Sequence, residues 1–206
     1  MDGAGRPTMD GAGRLLPSIA RGAVAALITV VVLGWIFHLM VVPTDSAAPA
    51  GIYAIRKIPS PLSLARGDPA PGERAASEAP QRGDLVVACL PPPIAQWGRA
   101  RGYLAGGGCS GGAEPVVKWL GALPGDTVGI FQSFVAVNGL RYPNSQTAPM
   151  DSHRRRLPHV AWGVREVSSG EVWLFGFNNP RSWDSRYFGP VPSTDVNGVL
   201  APVVTW

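Results

Sequence analysis

Residues 22–44 carry no Asp, Glu, Lys or Arg. The core of this run, AVAALITVVVLGWIFHLMVV, is long enough to cross the roughly 30 Å hydrocarbon layer of a bilayer as a helix. A cleaved secretory h-region is usually only about 7–15 residues, so a retained transmembrane helix is expected over 22–43. The alternative is a buried core helix, but a domain this small has too little apolar mass to cover such a helix on every side. Trp35 and His38 are mildly polar and read as tolerated, not as a proton path. Arg6, Arg14 and Arg21 precede the run, and Asp45 follows it. Positive charge stays on the cytoplasmic side, which makes 1–21 a cytoplasmic tail and puts the domain 44–206 outside. The opening MDGAGRPTMDGAGR repeats itself, so Met1 and Met9 are both candidate starts.

Beyond the anchor the pattern is that of a mainly β domain. Twenty-six Gly and 21 Pro are too many for a helical bundle and suit short strands joined by turns. Strands are expected in GIYAIRKI (51–58), DLVVACL (84–90), PVVKWL (115–120), TVGIF, FVAVNGLRY and EVWLFGF. Asn138-Gly139 predicts a hairpin turn, and Pro124-Gly125-Asp126 a second turn. Residues 59–81 read as a flexible excursion. Residues 91–113, with PPP, GGG and GG, read as a loop insertion.

The net charge of +4 raises the question of an anionic partner. The charges are dispersed, and the one tight cluster, Arg154-Arg155-Arg156, falls in a loop-like stretch. It reads as a solvated loop or a contact with anionic lipid head groups, and nucleic acid is not expected. The Gly-rich residues 106–112 lack the Gly-Lys-Ser/Thr ending of a phosphate loop. Arg82-Gly83-Asp84 reads as a turn into the next strand. There is no Cys/His pattern of zinc spacing, so neither metal nor cofactor is expected. Cys89 and Cys109 fit a disulfide in an oxidising compartment, closing a loop of about 20 residues worth on the order of 3 kcal/mol. Two free thiols, or a cysteine nucleophile served by His153 or His159, are the alternatives.

Lys118 stands alone among Val116, Val117, Trp119 and Leu120. Desolvation there would disfavour its charged form and lower its pKa, leaving part of it neutral as a base. An edge-strand lysine facing solvent is the plainer alternative. Ser46, in TDSAAP just past the apolar run, would alone pass for a turn residue. A neutral lysine amine can take the proton of a serine hydroxyl, and Ser–Lys pairs are a known form of serine nucleophile.

Several short motifs together resemble the bacterial type I signal peptidases, and among them the conjugation-associated TraF signal peptidases. Ser46-Ala47-Ala48-Pro49 resembles the Ser-x-x-Pro nucleophile box, with Ala50-Gly51-Ile52-Tyr53 as its TraF-type extension. Arg82-Gly83-Asp84 and its apolar strand are similar to the next box. Lys118, followed by ALPGDTV at 122–128, resembles the general-base box. GFNN at 176–179 and SWDSRYFGPVP at 182–192 resemble the last and most specific one. Arg101-Gly102-Tyr103-Leu104, with Cys109 after it, is also similar to the TraF group. Trp119 departs from the family, which often has a second basic residue there. Ala47 holds the place of the serine in many TraF relatives, and the Ser-x-x-Pro spacing selects Ser46.

The resemblance implies a signal-peptidase-like β domain behind one N-terminal transmembrane helix, in the inner membrane with the catalytic domain periplasmic. Ser46 would be the nucleophile and Lys118 the general base. Thr44 and the Ser46 amide would hold the oxyanion, and Ser182 would orient the lysine. Asp184 and Arg186 would pair to hold that loop. Residues around Ser46, Tyr53 and Val116 would form shallow pockets for small side chains. The implied substrate is a membrane-associated protein precursor, a conjugation pilin subunit foremost, met at the lipid bilayer. Hydrolysis and cyclisation both remain open, because water or a substrate amine can meet an acyl-enzyme. The rival reading is a non-catalytic, membrane-anchored assembly module.

Overall fold

Strand β3 (Leu85–Ala88) explains why the domain core reads as apolar runs without alternation: all four of its residues are buried. Leu85 and Val87 face a cluster containing Val42, Tyr53 and Leu200. Val86 and Ala88 face another, containing Leu120, Leu174 and Val196. The sheet is covered on both faces here, so the usual period of two is lost. The computed structural model describes residues 38–42, 48–58 and 79–206. Most of the expected transmembrane helix, Thr44 and Ser46, and most of the 59–81 excursion lie outside the described residues.

The architecture is mainly β. A seven-stranded sheet runs β1-β2-β11-β3-β4-β9-β10, with β1 His38–Val42, β2 Gly51–Lys57, β4 Val116–Ala122, β9 Glu171–Phe175, β10 Val191–Pro192 and β11 Val196–Thr205. A four-stranded sheet runs β7-β6-β5-β8, with β5 Thr127–Ile130, β6 Val135–Val137, β7 Leu140–Arg141 and β8 Gly163–Glu166. Its inner residues Val128, Ile130, Val135 and Val137 pack with Trp173 and Phe175 of β9. The Asn138-Gly139 turn forms as its sequence dictates. Both residues have positive φ, 49° and 81°, between β6 and β7.

Four features depart from the sequence pattern. His38–Val42 is a strand at the sheet edge, where the helix over 22–43 was expected to end. The β-branched Val41-Val42 suits that pleated edge, and Val42 packs beside Ala48 and Tyr53. No helix among the described residues is long and apolar enough to cross a membrane. Within the expected loop 91–113, Pro92–Ala100 forms a helix, α1, with proline in its first turn. Proline is tolerated there because that turn's N–H groups have no helical partner anyway. β8 adds an edge strand to the small sheet. β11 is the largest departure: it lies between β2 and β3 despite containing Gly198 and Pro202. A register shift between Pro202 and Val204 absorbs the proline. At Gly198 a Cβ would come within 2.8 Å of Ile55 and 2.9 Å of the Arg56 carbonyl, so glycine permits the close pairing.

The turn motifs have structural work. Arg82 makes a two-pronged contact with Asp126, Nη2 to Oδ1 at 2.6 Å and Nε to Oδ2 at 3.0 Å. Asp126 also accepts from the Leu123 amide and the Asn138 amide group, both at 2.8 Å. These bonds hold the Asp126 carboxyl below its usual pKa, although burial pushes the other way. Cys89 and Cys109 are joined by a disulfide, their Cα atoms 5.5 Å apart, so neither is a nucleophile. The arginine cluster is not simply a solvated loop. Arg155 donates from Nε to Asp151 at 2.7 Å and from Nη2 to the Arg101 carbonyl at 2.8 Å. That carboxylate also accepts from the Tyr103 hydroxyl at 2.5 Å, tying the 91–113 insertion to the arginine loop.

Candidate active site

β4 carries Lys118 into the interior because its neighbours in the strand demand burial on both faces. Val116 and Leu120 join the cluster of Val86, while Val117 and Trp119 pack on the opposite side. Lys118 has the parity of Val116 and Leu120 and pairs with Val86 of β3 in register. The residue as a whole is half-buried, but its amine is well desolvated. Burial lowers its pKa to about 8, with Asp184 pulling it up and Arg186 pushing it down. β4 lies between β3 and β9, so Lys118 is not on an edge strand as the plainer alternative had it. The amine Nζ donates to Ser182 Oγ at 2.8 Å.

Ser182 is fixed by its backbone. Its N–H donates to the Asn179 carbonyl at 2.9 Å, and its own carbonyl accepts from Arg186 Nη2 at 2.9 Å. Asp184 caps the short helix α2 (Ser185–Phe188) by accepting from the Arg186 amide. Its two oxygens also meet Arg186 Nε and Nη2, each at 2.8 Å, and the Gly176 amide at 2.9 Å. Both side chains are fully buried. Arg186 further donates from Nη1 to the Gln146 carbonyl, so nearly every polar atom of the pair is used.

Lys118 and Ser182 open on a cleft of about 940 Å³. Met40, Val41 and Val42 of β1 form one wall, and Val116 and Val117 of β4 lie beside the lysine. Tyr103, Leu104, Met150 and Leu157 contribute from the two loops joined by Asp151. The lining is mixed: apolar residues surround the amine–hydroxyl pair, and Glu114, Asp151, Asn179 and Arg181 also line the cleft. Tyr53 is not among the lining residues. It is buried, and its hydroxyl donates to the Pro49 carbonyl at 2.9 Å, pinning the chain that follows residues 43–47. Among the described residues no group of His, Cys, Asp and Glu could hold a metal ion. The structure brings Lys118, Ser182, Asp184 and Arg186 together. It keeps the disulfide outside the cleft lining and describes neither Thr44 nor Ser46.

The family described as "Signal peptidase, peptidase S26" matches residues 16–206. A plasmid transfer protein TraF of Escherichia coli is 37% identical over 133 residues, covering 63% of this chain and 75% of its own. A second Escherichia coli plasmid transfer protein TraF is 29% identical over 195 residues, covering 94% and 99%. A conjugal transfer protein TraF of Agrobacterium tumefaciens (strain 15955) is 31% identical over 185 residues, covering 89% and 90%. The chain belongs to the signal peptidase family, peptidase S26. Within it, the chain is similar to the TraF transfer proteins along nearly its whole length.

Proposed function

We propose that the chain is a membrane-anchored serine endopeptidase in which Ser46 is the nucleophile and Lys118 the general base. The observation that carries this is the Lys118 amine: desolvated, with a pKa near 8, held 2.8 Å from a buried serine hydroxyl and facing a peptide-sized cleft. A general base needs a pKa near working pH. Val42, which lines the same cleft, is four residues before Ser46.

In this scheme Ser46 Oγ attacks the scissile carbonyl while its proton passes to Lys118 Nζ. The ammonium returns that proton to the leaving amine. The Ser46 amide and the Thr44 hydroxyl stabilise the oxyanion. Ser182 directs the lysine amine, and the Asp184–Arg186 pair holds the loop that carries Ser182. Water then releases the acyl-enzyme, or a substrate amine does so and closes a ring. The substrate class is a leader-bearing exported precursor, a conjugation pilin subunit foremost, as the resemblance of the sequence motifs implies. Cleavage of a peptide spanning an Ala-x-Ala-like leader site should be lost in full-length Ser46→Ala protein. Cleavage at the wild-type rate would overturn the nucleophile assignment and turn attention to Ser60 and Ser63.

The same proposal places the domain in the periplasm behind an anchor in the part of the charge-free run that precedes β1, on the basis of that run and the arginines before it. A reporter that works only when exported, fused after Trp206, should be active. Activity of a cytoplasm-only reporter at that position would reverse the topology.

A further inference from the structure

Ser182 is held along its backbone by Asn179 and Arg186, but its neighbour Trp183 is held by something else. The Trp183 ring stacks on Trp97 of α1, centroids 5.5 Å apart and planes at 23°. Tyr103, just beyond α1, approaches both indoles, at 5.4 Å from Trp183 and 5.7 Å from Trp97. Gly98 is the floor of this box. A Cβ there would lie 2.5 and 2.7 Å from two carbons of the Trp183 ring, too close for any real contact, and 3.0 Å from Leu104. α1 cannot easily retreat. Ala95 is fully buried, and a Cβ on Gly111 would strike Ala95 at 2.5 Å, so the loop beyond Cys109 lies directly on the helix. Trp183 lines the cleft with Ser182 and Lys118. Its ring also packs against Phe188, centroids 5.1 Å apart, so Trp183 links α1 to the segment that carries Ser182.

We propose that Trp97 and Gly98 are positioning residues, which act through Trp183 to hold Ser182 against the Lys118 amine and to keep water from it. This rests on Lys118 being the base, but it concerns how that base is kept in place. Neither Trp97 nor Gly98 is among the residues lining the cleft. The charged groups acting on the amine, Asp184 and Arg186, are paired with each other and fully buried, and Glu114, Asp151 and Arg181 line the same cleft. A change in water access at Lys118 is then the expected signature.

The test uses full-length protein in detergent. The protonation midpoint of Lys118 is read from the pH dependence of its acetylation, located by mass spectrometry. This readout requires no turnover. It is paired with kcat and KM on the leader peptide for wild type, Gly98→Ala, Trp97→Leu and Trp97→Phe. Gly98→Ala and Trp97→Leu should raise the midpoint by about one pH unit toward an ordinary amine. They should lower kcat at neutral pH about tenfold, because the neutral fraction falls by that factor, with KM little changed. Trp97→Phe, which keeps an aromatic stack, should stay close to wild type. An unmoved midpoint and kcat in both Gly98→Ala and Trp97→Leu, with only a lower melting temperature, would overturn the proposal. If Gly98→Ala does not fold, the contrast between Trp97→Leu and Trp97→Phe decides. An inactive wild type whose midpoint still moves with Trp97→Leu would instead overturn the peptidase function and leave the positioning role standing.

Discussion

Lys118→Met should lower kcat/KM on a leader peptide by at least about a thousandfold while the domain stays folded. Methionine keeps the length and apolar packing of the side chain and removes only the amine, and members of a catalytic unit fail together. The wild-type profile should carry an acidic limb near pH 8, the value to which burial lowers this amine. Below it, activity should fall about tenfold per pH unit; above it, activity should level off. Stability follows the same direction. Between about 8 and the ordinary lysine value of 10.5, the unfolded chain binds more protons at this site than the folded one. This contribution therefore strengthens folding as pH rises through that window and is lost as pH falls through 8. His153 and His159 are exposed and neither lines the cleft, so replacing either by alanine should leave the limb in place. A limb that disappears with one of them, together with an active Lys118→Met, would make an imidazole the base.

Asp184→Ala should produce the largest loss of stability of any single change near the site. Arg186 would be left buried without its counter-charge, a defect worth about 3–5 kcal/mol. For a domain of this size the melting temperature should drop on the order of 10 °C. Activity should fall as well, because Arg186 Nη2 holds the Ser182 carbonyl and so the hydroxyl that meets Lys118. The double change Asp184→Leu with Arg186→Met should recover part of the stability, since it leaves no unpaired charge, but not the activity. Thermal unfolding of the three proteins checks this. A loss under about 1 kcal/mol for Asp184→Ala would mean that the Arg186 bonds to the Gln146 and Ser182 carbonyls suffice without the carboxylate.

Local signals carried a good part of this structure. β3, β5, β9 and the Asn138-Gly139 hairpin follow from short apolar runs and turn chemistry. The single lysine in VVKWL raises a desolvated amine as one reading, but on that stretch alone a solvent-facing edge-strand lysine is the plainer one. What local pattern missed depends on distant partners. β11 contains a glycine and a proline that argue against a central strand. It is one because β2 and β3, far away in sequence, offer two edges and a bulge that absorbs Pro202. α1 was hidden because its Pro-rich start and nine-residue length leave no helical period to read. The Lys118–Ser182 contact spans 64 residues. No periodicity connects them; only the resemblance of the SWDSR box to a known family did. The stacking of Trp183 on Trp97 had no signal at all, since an indole in an apparent loop has no recognisable partner until the chain is folded.

The assignment of Ser46 is tested most directly by trapping the acyl-enzyme. Full-length protein would be incubated with a β-lactam-type acylating agent, digested and mapped by mass spectrometry. A covalent adduct on the peptide containing Ser46 is expected in wild type, with none in Ser46→Ala and much slower formation in Lys118→Met. An adduct on Ser60 or Ser63, or one that forms at the wild-type rate in Lys118→Met, would contradict the Ser46–Lys118 mechanism.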